Sequence, residues 1–172
     1  MRRILIAWLA IAWLAVALPA LPCSIGEPVS NVKMVQQAEA IVRATAVEYS
    51  VPPADPNSWT SGTPDSRIRF KVTEKIRGPV PDEMILPGYL VQRDDFNDHP
   101  APYNFVRPGG RQGSCFANSY RNGADFLLLL KKSESGEFTV NWYALGPVNE
   151  QLHSGDDPWL AWVRKQAARE KK

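Results

Sequence analysis

Histidine and cysteine occur only twice each in the 172 residues, and that scarcity removes several kinds of chemistry. A zinc site needs three or four ligands at suitable spacing. Two distant histidines, His99 and His153, with two cysteines that can pair with each other, do not supply it. A cysteine–histidine nucleophile built on Cys115 fails if that sulfur is in a disulfide. Gly-x-Ser-x-Gly, His-Glu-x-x-His and a phosphate-binding loop are all missing, and Gly109-Gly110 is a lone pair that signals a turn. No catalytic residue, metal ligand set or cofactor is therefore expected. An excess of one charge is missing too. The formal charge is +2, and Arg2 and Arg3 lie in the first three residues; the chain from residue 21 onward has 18 basic and 18 acidic residues. A near-neutral domain has no electrostatic attraction for nucleic acid or an anionic membrane.

What is present begins with Met1-Arg2-Arg3, an uncharged apolar run from Ile4 to Leu18, and Pro19-Ala20-Leu21-Pro22. A basic start, a short apolar stretch and small residues after it describe a signal peptide over residues 1–20. The run falls short of the roughly 20 residues that a spanning helix needs, and Pro19 ends it early. Cleavage after Ala20 places Leu18 at −3, whereas cleavage after Ala17 gives the better Ala15-Val16-Ala17 pattern. Cys23 is also placed where a lipoprotein acceptor cysteine would be, although Pro22 makes a poor lipobox. A secreted, periplasmic or extracellular protein is expected. About 150 residues remain, enough for one domain with a core, residues 21–172. In an oxidising compartment Cys23 and Cys115 have one available partner each, the alternative being two free thiols. A link closing so long a loop contributes roughly 4 kcal/mol in the chain-entropy model.

Along the mature chain, Asn31 to Ala40 is expected to form one or two helical turns capped by Ser30 or Asn31. Ala40 to Tyr49 is β-branched and small, and reads as a strand that stops before Pro52-Pro53; residues 52–66 read as a loop. From Arg67 to Ile76, Ile68, Phe70, Val72 and Ile76 alternate with Arg67, Arg69, Lys71, Thr73 and Lys75, the pattern of a half-buried strand. Glu83 to Val91 is a third strand interrupted at Pro87-Gly88. Residues 92–114 form a long Asp-, Asn-, Pro- and Gly-rich segment, of a length usually either functional or disordered. Its Asp94-Asp95-Phe96-Asn97-Asp98 cluster lacks the alternation and central glycine of a calcium loop. It reads as a solvated loop whose carboxylates pair with Arg93, Arg107 and Arg111. Tyr103, Phe105, Phe116 and Tyr120 flank Cys115 and suit either a core lid or a binding surface. After a turn at Arg121-Asn122-Gly123, Asp125 to Lys132 carries Phe126 and four leucines in a row, a strand covered on both faces. Ser135-Gly136 turns into a strand from Glu137 to Ala144. Asp157-Pro158 opens a terminal helix, about 157–169, with Trp159, Trp162 and Val163 on its apolar side. Five strands and a terminal helix predict an all-β barrel or sandwich, and a five-stranded Greek-key barrel fits the count.

Four features in order resemble the netrin-like module, in particular the N-terminal domain of the tissue inhibitors of metalloproteinases. These are Cys23-Ser24 at the mature start, Ala40-Ile41-Val42-Arg43-Ala44, the strand Phe70 to Ile76 closing on Arg77-Gly78, and Ser114-Cys115-Phe116 leading to Asp125-Phe126-Leu127-Leu128. The resemblance covers about residues 23–150. It implies an OB-fold barrel, a Cys23–Cys115 disulfide and a protein partner, in the sharpest form a zinc metalloproteinase. In the animal inhibitors the first cysteine's α-amino group and carbonyl chelate the protease zinc, and the next side chain enters the specificity pocket. By position the partner-binding roles fall on Cys23, Ser24 and Ile25, with Gly113 and Ser114 across the disulfide. Ile25 stands where the family has a second cysteine, so a single bridge is expected here. The expected function is an exported, non-enzymatic protein-binding module. The alternatives are a lipid-anchored or envelope-associated structural protein and an enzyme using the 92–114 loop.

Overall fold

The structure is a computed structural model, and it describes residues 29–55, 64–111 and 115–169. The short helix α1 (Asn31–Gln37) starts where Ser30 accepts a hydrogen bond from the Lys33 amide, the N-cap that the sequence signals. Next come β1 (Ala40–Val51), β2 (Arg67–Arg77), β3 (Glu83–Pro87) and β4 (Tyr89–Val91). A 3₁₀ turn (Pro108–Arg111) interrupts the long segment that follows. Then come β5 (Ser119–Arg121), β6 (Asp125–Lys132), β7 (Phe138–Val140), β8 (Asn149–Gln151) and the terminal helix α2 (Pro158–Arg169). The molecule is mostly β-sheet with a C-terminal helix, and no helix among the described residues is long and apolar enough to cross a membrane.

The main sheet runs β3-β2-β1-β6-β7, with β8 also paired to β6, while β4 and β5 form a separate parallel pair. Every pairing along that path is antiparallel. β3 and β7, at its two ends, therefore both point the way β1 points. Four register shifts between β1 and β2 bend these long strands, and the sheet curls until β7 comes up against β3. Residues of both ends line a groove of about 510 Å³ at this seam, among them Met84, Ile85 and Phe138.

Small residues of β1 lie opposite large ones on its neighbours. Ala44 faces Phe126 across β6 and Ala46 faces Phe70 across β2. The rings so accommodated pack edge to face. Phe70 and Phe126 lie 5.0 Å from Tyr120, centroid to centroid, and Phe70 and Phe126 are 6.4 Å apart. The unbroken run of β6 is buried throughout, Phe126 to Leu130, as a strand covered on both faces requires. Trp159, Leu160, Val163 and Ala167 of α2 are buried in the same core.

The third strand is interrupted where Pro87-Gly88 predicts, and the cause is contact: a Cβ on Gly88 would lie 2.5 Å from the Tyr120 ring. Three expectations need correction. The strand expected over Glu137–Ala144 is only Phe138–Val140, because Asn141 bonds back to Leu129 and the chain then turns, the Trp142 amide reaching the Val140 carbonyl. Beyond the five expected strands, the short polar strands β5 and β8 form where the sequence shows no alternation. The Asp94–Asp98 cluster, expected as a solvated loop, is solvated only in part: Asp94 and Asp98 are exposed, but Asp95 and Phe96 are half-buried and Asn97 is buried.

Candidate functional site

Arg107, in the middle of the long segment, is fully buried. A guanidinium cannot shed its proton, so it must be met by acceptors on every side. Its Nη1 donates to Asp95 Oδ2 at 2.5 Å, Nε to the Asn149 carbonyl at 3.0 Å and Nη2 to the Ala117 carbonyl at 3.1 Å. Its Cζ lies 5.3 Å from the ring centres of Tyr120 and Phe126, adding cation–π contact in a dry setting. Asp95 in turn accepts from the Gly109 amide at 2.9 Å, and a Cβ on Gly109 would sit 2.5 Å from that carboxylate. The glycine pair thus serves a close approach inside the 3₁₀ turn.

Strand β8 supplies the other half of this clamp. Glu150 is fully buried; its Oε1 accepts from the Arg107 amide at 3.2 Å and its Oε2 from Asn97 Nδ2 at 2.8 Å. Burial pushes the Glu150 carboxyl up to about 7, opposed by Arg107 and the Asn97 bond. Asn149 donates to the Ala117 carbonyl and to Tyr120 Oη, and burial raises the Tyr120 phenol above its ordinary value. Gln151 bonds the Asp95 amide at 2.9 Å and Asp94 at 2.6 Å. Of the carboxylates expected to pair with arginines, Asp95 takes Arg107, Asp98 takes Arg111, and Asp94 takes Arg121 from β5. The Arg111 hydrogen bond holds Asp98 below the usual carboxylate range.

This clamp shapes one end of the molecule. Asn97 Nδ2 also reaches the Phe105 carbonyl at 2.8 Å. The Val106 amide bonds the Leu145 carbonyl at 2.7 Å, and the Leu145 amide bonds the Cys115 carbonyl at 2.9 Å. Cys115 and Leu145 both adopt left-handed backbone, φ 61° and 58°, where a side chain is strained and the surroundings must hold it. Around this junction lie Phe116 edge-on to Trp142 at 5.3 Å, Phe105 at 45% exposure, and a cleft of about 60 Å³ whose walls include Val29, Met34, Phe105 and Tyr143. The four aromatics flanking Cys115 therefore divide: Tyr103 and Tyr120 are core, Phe116 is half-buried and Phe105 is exposed.

Of the residues expected to bind a partner, Cys23, Ser24, Ile25, Gly113 and Ser114 lie outside the described residues. Cys115 is described and is not a free thiol. His99 and His153 are 39% and 51% exposed at the side chain, as expected of loop histidines. His153 Nδ1 is 3.0 Å from the buried Asp157, whose carboxylate also accepts from the His153 and Trp159 amides and so caps α2. Among the described residues no three metal-ligating side chains come together. The chain matches no family model and no curated protein.

Proposed function

We propose that this chain is an exported, non-enzymatic protein-binding module of netrin-like, OB-fold type, and that the end around Cys115 is its binding surface. The observation that carries the reading is the order and sense of the five longer-range strands. The sheet order β3-β2-β1-β6-β7, with β7 beside β3 and pointing the same way, supports a partly open Greek-key barrel. A Cys23–Cys115 disulfide belongs to this reading: Cys115 is not a free thiol, and Cys23 is the one other cysteine in the sequence. The bond would tie the mature N-terminus to the junction of Cys115, Leu145 and Val106, beside the exposed Phe105 ring. A shape made of rigid, partly exposed aromatics on a hydrogen-bonded base suits a protein partner.

In its sharpest form the module is a metalloproteinase inhibitor that inserts Cys23-Ser24 into the zinc site. That requires Cys23 to be the first residue after processing, because the chelating group is its free α-amine. The test is a titration of the mature protein against a panel of zinc metalloproteinases. Nanomolar inhibition, abolished when one residue is added before Cys23, supports the mechanism. No inhibition of any panel member, with Cys23 verified as the first residue, rejects it and leaves the binding end to be tested on other proteins.

A further inference from the structure

The two ends of the main sheet meet without pairing: no ladder joins β3 to β7, although they run in the same direction and touch. The groove at this seam is lined by Glu83, Met84 and Ile85 of β3 and by Glu137 and Phe138 at the start of β7. Leu86, Pro87, Thr139 and Val140, further along the two strands, do not line it, so the seam opens toward their starts. Backbone groups face this opening. In an antiparallel ladder alternate residues bond the partner strand, and those between turn their peptide groups away. The Val72 amide bonds the Asp82 carbonyl and the Gly88 amide the Ser66 carbonyl. Met84 and Leu86 therefore face β2, while Glu83 and Ile85 turn their N–H and C=O groups outward. By the same count Phe138 turns its own away from β6, since Glu137 and Asn141 bond that strand. Ile85 beside this edge is 52% exposed, more than any other large apolar side chain described. Charge adds a direction. Glu83 is held by Arg69, and Lys132 is engaged 5.6 Å from the Phe138 ring centre. Arg67 and Glu137 also line the groove, and neither has an ion-pair partner among the described residues. Arg67 stands opposite Pro87, where β3 ends, and Glu137 lies at the end where β3 starts.

We propose that the β3–β7 seam is a docking groove for an extended peptide segment of a partner protein, which adds to the β3 edge as an antiparallel strand. The outward N–H and C=O groups of Glu83 and Ile85 supply the main-chain bonds, as in other strand additions to an exposed sheet edge. Running against β3, the segment enters beside Pro87 and leaves beside Glu83. It therefore presents an acidic residue to Arg67 first and a basic residue to Glu137 about four positions later. Residues two apart share a face of a strand, so an apolar residue midway between them lies against Ile85. The groove shares no lining residue with the cleft beside Cys115, so this proposal goes beyond the binding reading above and does not rest on it.

The test is an NMR titration of the nitrogen-15-labelled mature protein with the blocked peptide acetyl-Glu-Thr-Val-Thr-Lys-amide. The expected result is saturable shifts of the Glu83, Ile85 and Phe138 amides. The charge-swapped peptide acetyl-Lys-Thr-Val-Thr-Glu-amide should bind roughly fivefold more weakly. A peptide N-methylated at its central valine, which cannot donate to the edge, should bind roughly tenfold more weakly. In the double variant Arg67→Glu with Glu137→Lys, both changes at exposed positions, the preference between the two charged peptides should reverse. No saturable shift at the three amides up to the solubility limit of the peptide overturns the proposal. Equal binding of the N-methylated peptide overturns strand addition, and equal binding of the two charged peptides overturns the stated direction. Shifts of the same amides with protein concentration alone show a second copy of the chain on this edge, and they too overturn the proposal.

Discussion

Arg107 and Gly88 carry more of the architecture than their neighbours in sequence suggest. Replacing Arg107 by alanine would strand Asp95 in a mostly buried site and remove the attraction that tempers Glu150. Breaking a buried pair from one side typically costs about 3–5 kcal/mol, and that loss is the expected result in a urea titration of Arg107→Ala at pH 7. Gly88→Ala forces a methyl into the Tyr120 ring, 2.5 Å from the nearest carbon. Overpacking of this kind costs about 1–3 kcal/mol, and the same titration should report it as a lower midpoint with an unchanged slope. Neither role was legible in the sequence. Arg107 was one of three arginines beside an acidic cluster, and only the fold distinguishes it from Arg111, whose partner Asp98 is exposed. Gly88 was legible as an interruption but not as a ring contact, because its partner is 32 residues away along the chain.

At the scale of elements, alternation and uniform apolarity were sufficient where the main sheet is covered on one face or on both. The alternating Ile68 and Phe70 of β2 and the leucines of β6 are buried as their pattern predicts. Strands β5 and β8 escaped because they are three residues long and polar: Asn149, Glu150 and Gln151 are buried among hydrogen-bond partners from residues 94–120, not by their own hydrophobicity. Tertiary hydrogen bonding outweighs local pattern in such strands. Helix α2 was legible from its Asp-Pro start, and the cap is where that start places it, Asp157 accepting from the Trp159 amide at 2.8 Å. Asp157→Ala should cost about 1–2 kcal/mol through the lost cap, read as a lower thermal midpoint. Trp159→Ala empties a fully buried site under the helix and should cost about 3–5 kcal/mol, with lost protection of the whole of α2 in hydrogen exchange.

For the molecule as a whole, the proposed reading is an exported module whose partner-binding surface lies around Cys115. Strands β1, β2, β3, β6 and β7 could be read from the chain, whereas the approach of β7 to β3 could not, since it depends on how far the bent sheet curls. The region around Cys115 was legible only as a cysteine among aromatics. Its left-handed Cys115 and Leu145, and the hydrogen bonds joining them to Val106, belong to three segments that no local pattern connects. The proposed Cys23–Cys115 bond would tie this region to the mature N-terminus, and its presence would report on export. The decisive measurement is intact-mass and non-reducing peptide-mapping mass spectrometry of the protein purified from its native export route. The result expected of the proposed exported module is a chain that has lost its first 17 to 22 residues and yields a Cys23–Cys115 linked peptide pair. A retained leader, two free thiols, or a diacylglycerol on Cys23 with Cys115 unpaired would contradict it.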